Sequence, residues 1–181
     1  MANKRLLVVV DMQNDFVYNT DVLGSEMAQA IVSNIKDKIE EYISNGDQVV
    51  YTRDTHTANY LATQEGKKLP IPHCIHGTEG WCVIKEIEHP ECLHIDKRSF
   101  GYTLWNCYAN LDEKYNSIEL CGVCTDICVV SNALILKASH PETPMVVDAA
   151  CCAGTSYEAH AAALKVMESC QIDVINKSWE N

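Results

Sequence analysis

Leu6 to Val10 is an unbroken apolar run, LLVVV, ended by Asp11. A half-exposed strand alternates apolar and polar side chains, so an unbroken run marks a strand covered on both faces. Such strands belong to parallel sheets flanked by helices. The rest of the chain fits that frame. Met27, Ile31, Ile35, Ile39 and Tyr42 recur at helical spacing, with Asn45-Gly46 as the stop. Gln48 to Arg53 reads as a second strand and Leu93 to Asp96 as a short one. Ser117 to Cys121, Met145 to Asp148 and Ile172 to Ile175 read as further strands. Leu104 to Leu111 reads as a short helix and Thr125 to Ser139 as an apolar-rich one. Thr155-x-x-Glu158 has the form of a capping box that opens a helix through Cys170.

Strands alternating with helices predict an α/β domain with a mainly parallel sheet and right-handed crossovers. No repeat, linker or low-complexity segment is visible, so one domain over residues 1–181 is expected. Between Asp54 and Glu91 no clean period appears, and a stretch of that length inside a domain usually carries function.

Composition narrows the partners. The formal net charge is −11, which repels phosphate backbones and disfavours nucleic-acid binding. No stretch approaches the length of a membrane-spanning helix, and the run at 6–10 is too short for a signal peptide. The ten cysteines do not make a secreted disulfide scaffold, a class that is shorter and denser in Cys. A reduced, cytoplasmic protein with mostly buried thiols is expected. Cys151 and Cys152 have no functional account in the sequence.

Ligands of open parallel sheets sit at the carboxyl ends of the strands. Asp11, the pair Asp54 and His56, Lys97, and the turn Gly122 to Cys128 all lie at or just beyond such ends. Cys128 falls in the first turn of a helix, where free N–H groups lower a thiol pKa and can hold an oxyanion. From spacing alone it reads equally well as an apolar helix residue packed on the sheet. Cys121-x-x-Cys124 also has a redox form, against which stand its strand position and the number of α/β units. A zinc site on Cys121, Cys124 and Cys128 lacks a fourth ligand nearby.

A metal site without thiolates fits better elsewhere. Asp54-x-His56 places two ligand types on one side of an extended segment, and His73 follows Pro72. One Asp and two His suit Zn²⁺, Fe²⁺ or Mn²⁺, although three polar loop residues would look the same. The other five histidines have no comparable company.

Together these segments resemble the isochorismatase-like cysteine hydrolases, and most closely the nicotinamidases among them. The resemblance rests on DMQNDF at 11–16, TRDTH at 52–56, PHCIHGTEG at 72–80, IDKRSFG at 95–101 and, most specifically, GVCTDICV at 122–129. It implies a three-layer α/β/α sandwich and a catalytic triad of Asp11, Lys97 and Cys128. It also implies a cis bond between Val123 and Cys124, with the Cys124 and Cys128 amides forming an oxyanion hole. Asp54, His56 and His73 match the metal ligands of the family, and zinc is the expected ion, iron and manganese being alternatives. Gln13 and Phe16 would line the substrate pocket, with Phe16, Tyr60 or Phe100 stacking on a pyridine ring.

The implied reaction is hydrolysis of nicotinamide to nicotinic acid and ammonia through a thioester on Cys128, in a homo-oligomer. Hydrolysis of another small amide or carbamoyl compound remains open, as does a catalytically silent metal- or partner-binding member. The extra His that many nicotinamidases carry after the D-x-H pair is replaced here by Asn59, Tyr60 and Leu61.

Overall fold

The apolar run forms the middle of the sheet. In the computed structural model, which describes residues 4–107 and 115–177, it is strand β1 (Lys4–Val10), and Leu6 to Val10 are fully buried. The other strands are β2 (Gln48–Asp54), β3 (Leu93–Lys97), β4 (Tyr115–Val123), β5 (Met145–Ala153) and β6 (Asp173–Ile175). They line up in the order β3-β2-β1-β4-β5-β6, and every neighbouring pair is parallel.

Among the described residues six α-helices connect them: α1 (Asn14–Val17), α2 (Glu26–Ala30), α3 (Val32–Ser44), α4 (Gln64–Lys68), α5 (Val130–Ser139) and α6 (Tyr157–Ser169). The chain winds outward from β1 through β2 to β3, then restarts at β4 and winds the other way. Right-handed crossovers in opposite directions put helices on opposite faces. Accordingly α3 packs on β1, β2 and β5, while α5 and α6 pack on one another and α6 on β5 and β6. The result is the expected α/β/α sandwich. The direction of winding reverses between β1 and β4, which is where ligands collect in sheets of this kind.

Four expectations change in detail. The helix read from Met27 to Tyr42 breaks at Ile31, whose φ of −92° and ψ of −7° make a turn; the short first piece is capped by Ser25, which accepts from the Ala28 amide at 3.1 Å. The second piece buries Ile35, Ile39 and Tyr42 and stops, as expected, at Gly46 with a positive φ of 74°. The cap of α6 is Ser156, not Thr155: its side chain accepts from the Ala159 amide at 3.1 Å. Thr155 bonds to Asp126 instead.

Strand β5 is longer than the run Met145 to Asp148. Leu120 faces Val147 but Gly122 faces Cys152, so β4 advances by two residues while β5 advances by five. This bulge is held by Asp148, whose Oδ1 accepts from the Ala150 amide at 3.0 Å. Cys151 and Cys152 thus sit buried within β5 rather than in a turn after it. Of the short helix read over 104–111, Trp105–Cys107 forms one 3₁₀ turn, and 108–111 lie outside the described residues. Among the described residues no helix is long and apolar enough to cross a membrane.

Candidate active site

The opening motif supplies three side chains at alternate positions, each pinning a different part of the site. Asp11 follows β1 with a φ of 51°, a left-handed conformation that Asp tolerates better than most residues. Its Oδ1 accepts from the Thr52 hydroxyl at 2.7 Å, and its Oδ2 meets the Lys97 ammonium at 2.6 Å. Gln13 clamps the end of β2: its Oε1 accepts from the Asp54 amide at 2.7 Å, and its Nε2 donates to the Asp54 carbonyl at 2.9 Å. Asp15 accepts from the Cys74 amide at 2.8 Å and so fixes the segment that carries His73.

Cys128 comes to the same point from β4. Gly122 has a φ of 115°, and any Cβ there would collide with the Val10 backbone, so β1 and β4 close up at the reversal of winding. The Val123–Cys124 peptide bond is cis, as the resemblance implied. Next comes a π-helical turn, Thr125–Val129, in which the Cys124 carbonyl accepts from both the Ile127 and Val129 amides at 3.1 Å. Three bonds tie this turn to α6 and the residue before its cap, one of them from the Thr155 hydroxyl to Asp126 at 2.6 Å. Asp126 accepts from the Thr155 amide at 2.8 Å, and the Thr125 hydroxyl meets His160 Nδ1 at 2.8 Å.

The sheet therefore brings Asp11, Lys97 and Cys128 together. Lys97 Nζ lies 2.6 Å from Asp11, 3.3 Å from Asp54 Oδ1 and 3.5 Å from Cys128 Sγ, and all of these groups are buried. Burial pushes the Asp11 carboxyl up; Lys97 opposes this and the Asp54 charge adds to it, so the net shift is upward. Burial also pushes the Cys128 thiol well up, helped by Asp11 and opposed by Lys97. The lowering expected for a thiol at a helix start is thus outweighed by burial. Both shifts favour the protonated form, and the raised carboxyl is the more basic for it. Burial lowers Lys97, yet Asp11, Cys128 and Asp54 outweigh it and keep the ammonium charged.

Beside this cluster lies a second. His56 Nε2 stands 2.8 Å from Asp54 Oδ2 and 3.6 Å from Glu65 Oε1; His73 Nε2 stands 3.5 Å and 3.7 Å from the same two atoms. All four residues offer a ligand atom within 4.8 Å of the others. Ligands on a tetrahedral ion with bonds near 2.1 Å lie about 3.4 Å apart, so the set fits a divalent metal. The surroundings agree. His73 Nδ1 meets the Ile71 carbonyl at 2.8 Å, which leaves Nε2 free to bind metal. Three carboxylates, Asp11, Asp54 and Glu65, face a single ammonium, and a bound cation would offset the excess. Burial raises the Asp54 carboxyl, but His56, His73 and Lys97 together hold it well below the usual range.

Glu65 was not among the residues singled out from the sequence. It enters from the first turn of α4, where Thr63 caps the helix by accepting from the Gly66 amide at 3.0 Å. That cap was the readable signal. It lies nine residues beyond His56, too far for a local ligand spacing to show.

A cavity of about 380 Å³ joins the two clusters. Cys124, Cys128, Asp54, Glu65 and His73 line it, with Phe16 and Phe100 among its apolar walls. Gln13 and Tyr60, both expected in the pocket, do not line it. Gln13 is fully buried beneath Asp54, and Tyr60 sits behind the histidines. The Tyr60 ring packs edge-on at 4.7 Å from His56 and 5.0 Å from His73, while its hydroxyl donates to the Leu69 carbonyl at 2.9 Å. Cys121 of the C-x-x-C pair is wholly buried in β4, and burial pushes its thiol well up, the reverse of a reactive redox site.

The Isochorismatase domain family matches residues 5–178. The chain belongs to that family. An uncharacterized isochorismatase family protein PncA of Bacillus subtilis (strain 168) is 31% identical over 177 residues, covering 89% of this chain and 92% of that protein. A nicotinamidase of Schizosaccharomyces pombe is 27% identical, with 94% and 92% covered. In fold, the chain matches the crystal structure of the Pyrococcus horikoshii pyrazinamidase in complex with zinc. The TM-score is 0.83 at 24% identity, over 96% of this chain and 99% of that one.

Proposed function

We propose that this chain is a nicotinamidase that hydrolyses nicotinamide to nicotinic acid and ammonia through a thioester on Cys128. The observation that carries the reading is one cavity lined both by the Cys128 thiol and by Asp54, Glu65 and His73 of the metal-type set, with the Lys97 ammonium buried 3.5 Å from the sulfur and 2.6 Å from the Asp11 carboxylate. The naming of the fission-yeast relative as a nicotinamidase supports the substrate.

As Cys128 sulfur attacks the carboxamide carbon, its proton passes to the Asp11 carboxylate. Lys97, 3.5 Å from the sulfur, meets the negative charge that develops there. The Cys124 and Cys128 amides receive the oxyanion. Asp11 then returns the proton to the departing nitrogen, the C–N bond breaks and ammonia leaves. Water attacks the thioester, giving its proton to Asp11, and collapse expels the sulfur, which takes that proton back. Asp54, His56, Glu65 and His73 hold one divalent ion, which we take to be zinc, supported by its two-His, two-carboxylate donor set. When bound, the ion supplies a Lewis-acidic position for a ring nitrogen and so orients the substrate. Phe16 and Phe100 flank the ring.

Ammonia release from nicotinamide by the zinc-loaded protein tests the reading. Cys128→Ala is expected to lower kcat by about 10⁴-fold or more. A loaded wild type that turns over a carbamoyl compound and not nicotinamide would change the substrate. One that turns over neither, and whose Cys128 resists alkylation at neutral pH, would sink the hydrolase reading.

A further inference from the structure

Asn132 lies four residues beyond Cys128 in α5 and is fully buried. A buried side-chain amide needs partners at both ends, and here the site provides all of them. Oδ1 accepts from the Tyr102 amide and from the Trp105 indole, each at 2.9 Å. Nδ2 donates to the Cys128 carbonyl at 2.8 Å and to the Phe100 carbonyl at 3.3 Å. Three of these four bonds reach the segment 100–105, which follows the end of β3 and therefore Lys97. That segment is neither strand nor α-helix, and Phe100, a wall of the cavity, is itself 47% exposed. Gly101 lets the segment lie directly on α5, since a Cβ there would run into Ile135 and Ser131.

Asparagine is a weak helix former, and in mid-helix it usually faces solvent. A serine or threonine hydroxyl can reach back to the carbonyl four residues earlier, so the bond to Cys128 alone does not call for an amide. The three bonds to the segment do, because they need an acceptor and a donor on one planar group.

We propose that Asn132 is a positioning residue for substrate binding: it ties the Phe100 wall to the helix that carries the nucleophile. The tie sets the gap between wall and sulfur in which the substrate ring lies. This deepens the hydrolase reading above and rests on it.

Asn132→Thr keeps the bond to Cys128 and loses the three to the segment; Asn132→Ala loses all four. With nicotinamide as substrate, both variants should raise KM about tenfold, and the threonine variant should keep kcat within about threefold of wild type. Phe100→Ala removes the same wall by trimming a side chain that is 47% exposed, so it carries the test where an Asn132 variant fails to fold. It should raise KM alike, and the double variant Asn132→Thr/Phe100→Ala should be no worse than either single one. A wild-type KM in Asn132→Thr or in Phe100→Ala, or additive losses in the double variant, overturns the inference. Hydrogen exchange at the Tyr102 amide reads the tie without substrate. It should quicken in Asn132→Thr, and unchanged exchange overturns the inference whatever the substrate is. If wild type leaves nicotinamide intact, the nicotinamidase reading falls, and the same KM comparison on the amide that it does hydrolyse decides the role of Asn132.

Discussion

Asp11 and Cys128 are both buried beside the Lys97 ammonium, and the order of their proton affinities sets the chemistry. Both are pushed up by burial, and the Lys97 ammonium resists that for each of them. An upward shift favours the protonated thiol, so nucleophilicity is expected to appear during attack, as Asp11 takes the proton. A carboxylate with raised affinity does this better than an ordinary one. The pH consequence has a definite sign. Asp11 works only when ionised, so kcat/KM falls as pH drops through its pKa. That limb should lie above the ordinary aspartate range of about 4. Asp11→Asn should lower kcat about 10³-fold. Because the metal ligands also titrate, the decisive measurement is alkylation of Cys128 in metal-free protein. Its rate should follow the acid limb in wild type and lose that limb in Asp11→Asn. An identical limb in both would assign the proton to another group.

At the scale of elements, the nucleophile depends on how closely β4 can approach β1. Gly122 is the point of contact, with a φ of 115° and the Val10 backbone where a Cβ would sit. Gly122→Ala should therefore cost about 2 kcal/mol or more, from the disfavoured backbone and the forced separation of the strands. Urea unfolding would measure it, and wild-type stability with wild-type kcat would refute the contact. The sequence made β4 and the helix after it readable, because Ser117 to Cys121 and Thr125 to Ser139 carry their own apolar patterns. It did not show the π-helical turn, which depends on two amides sharing the Cys124 carbonyl. Nor did it show that β5 runs on to Ala153, since Ala149 and Ala150 carry little strand signal and the bulge is held by one Asp148 bond. Tyr60 and Gln13 were legible as site residues but not in role. A residue that holds a ligand from behind leaves the same trace in sequence as one that touches substrate.

The whole molecule joins two sites through Asp54. One of its oxygens faces Lys97 at 3.3 Å and the other faces His56 at 2.8 Å, so the carboxylate belongs to both clusters at once. The candidate ligands come from different pieces: Asp54 ends β2, Glu65 lies in the first turn of α4, and His73 sits on the segment that Asp15 pins. The unfolded chain does not hold these groups together, so a metal that binds them binds the folded state and stabilises it. At a free concentration of about 100 times Kd, linkage supplies about 2.7 kcal/mol. For a domain of this size that corresponds to a rise in Tm of about 5–10 °C. Glu65→Gln replaces an anionic ligand by a neutral one, and it should shrink the rise while leaving the metal-free Tm near wild type, because Glu65 is partly exposed. Thermal melts with and without zinc, run on wild type and on this variant, measure both numbers without any substrate. An equal rise in the two proteins would place the ion elsewhere, and no rise in wild type would mean that these four side chains do not hold zinc.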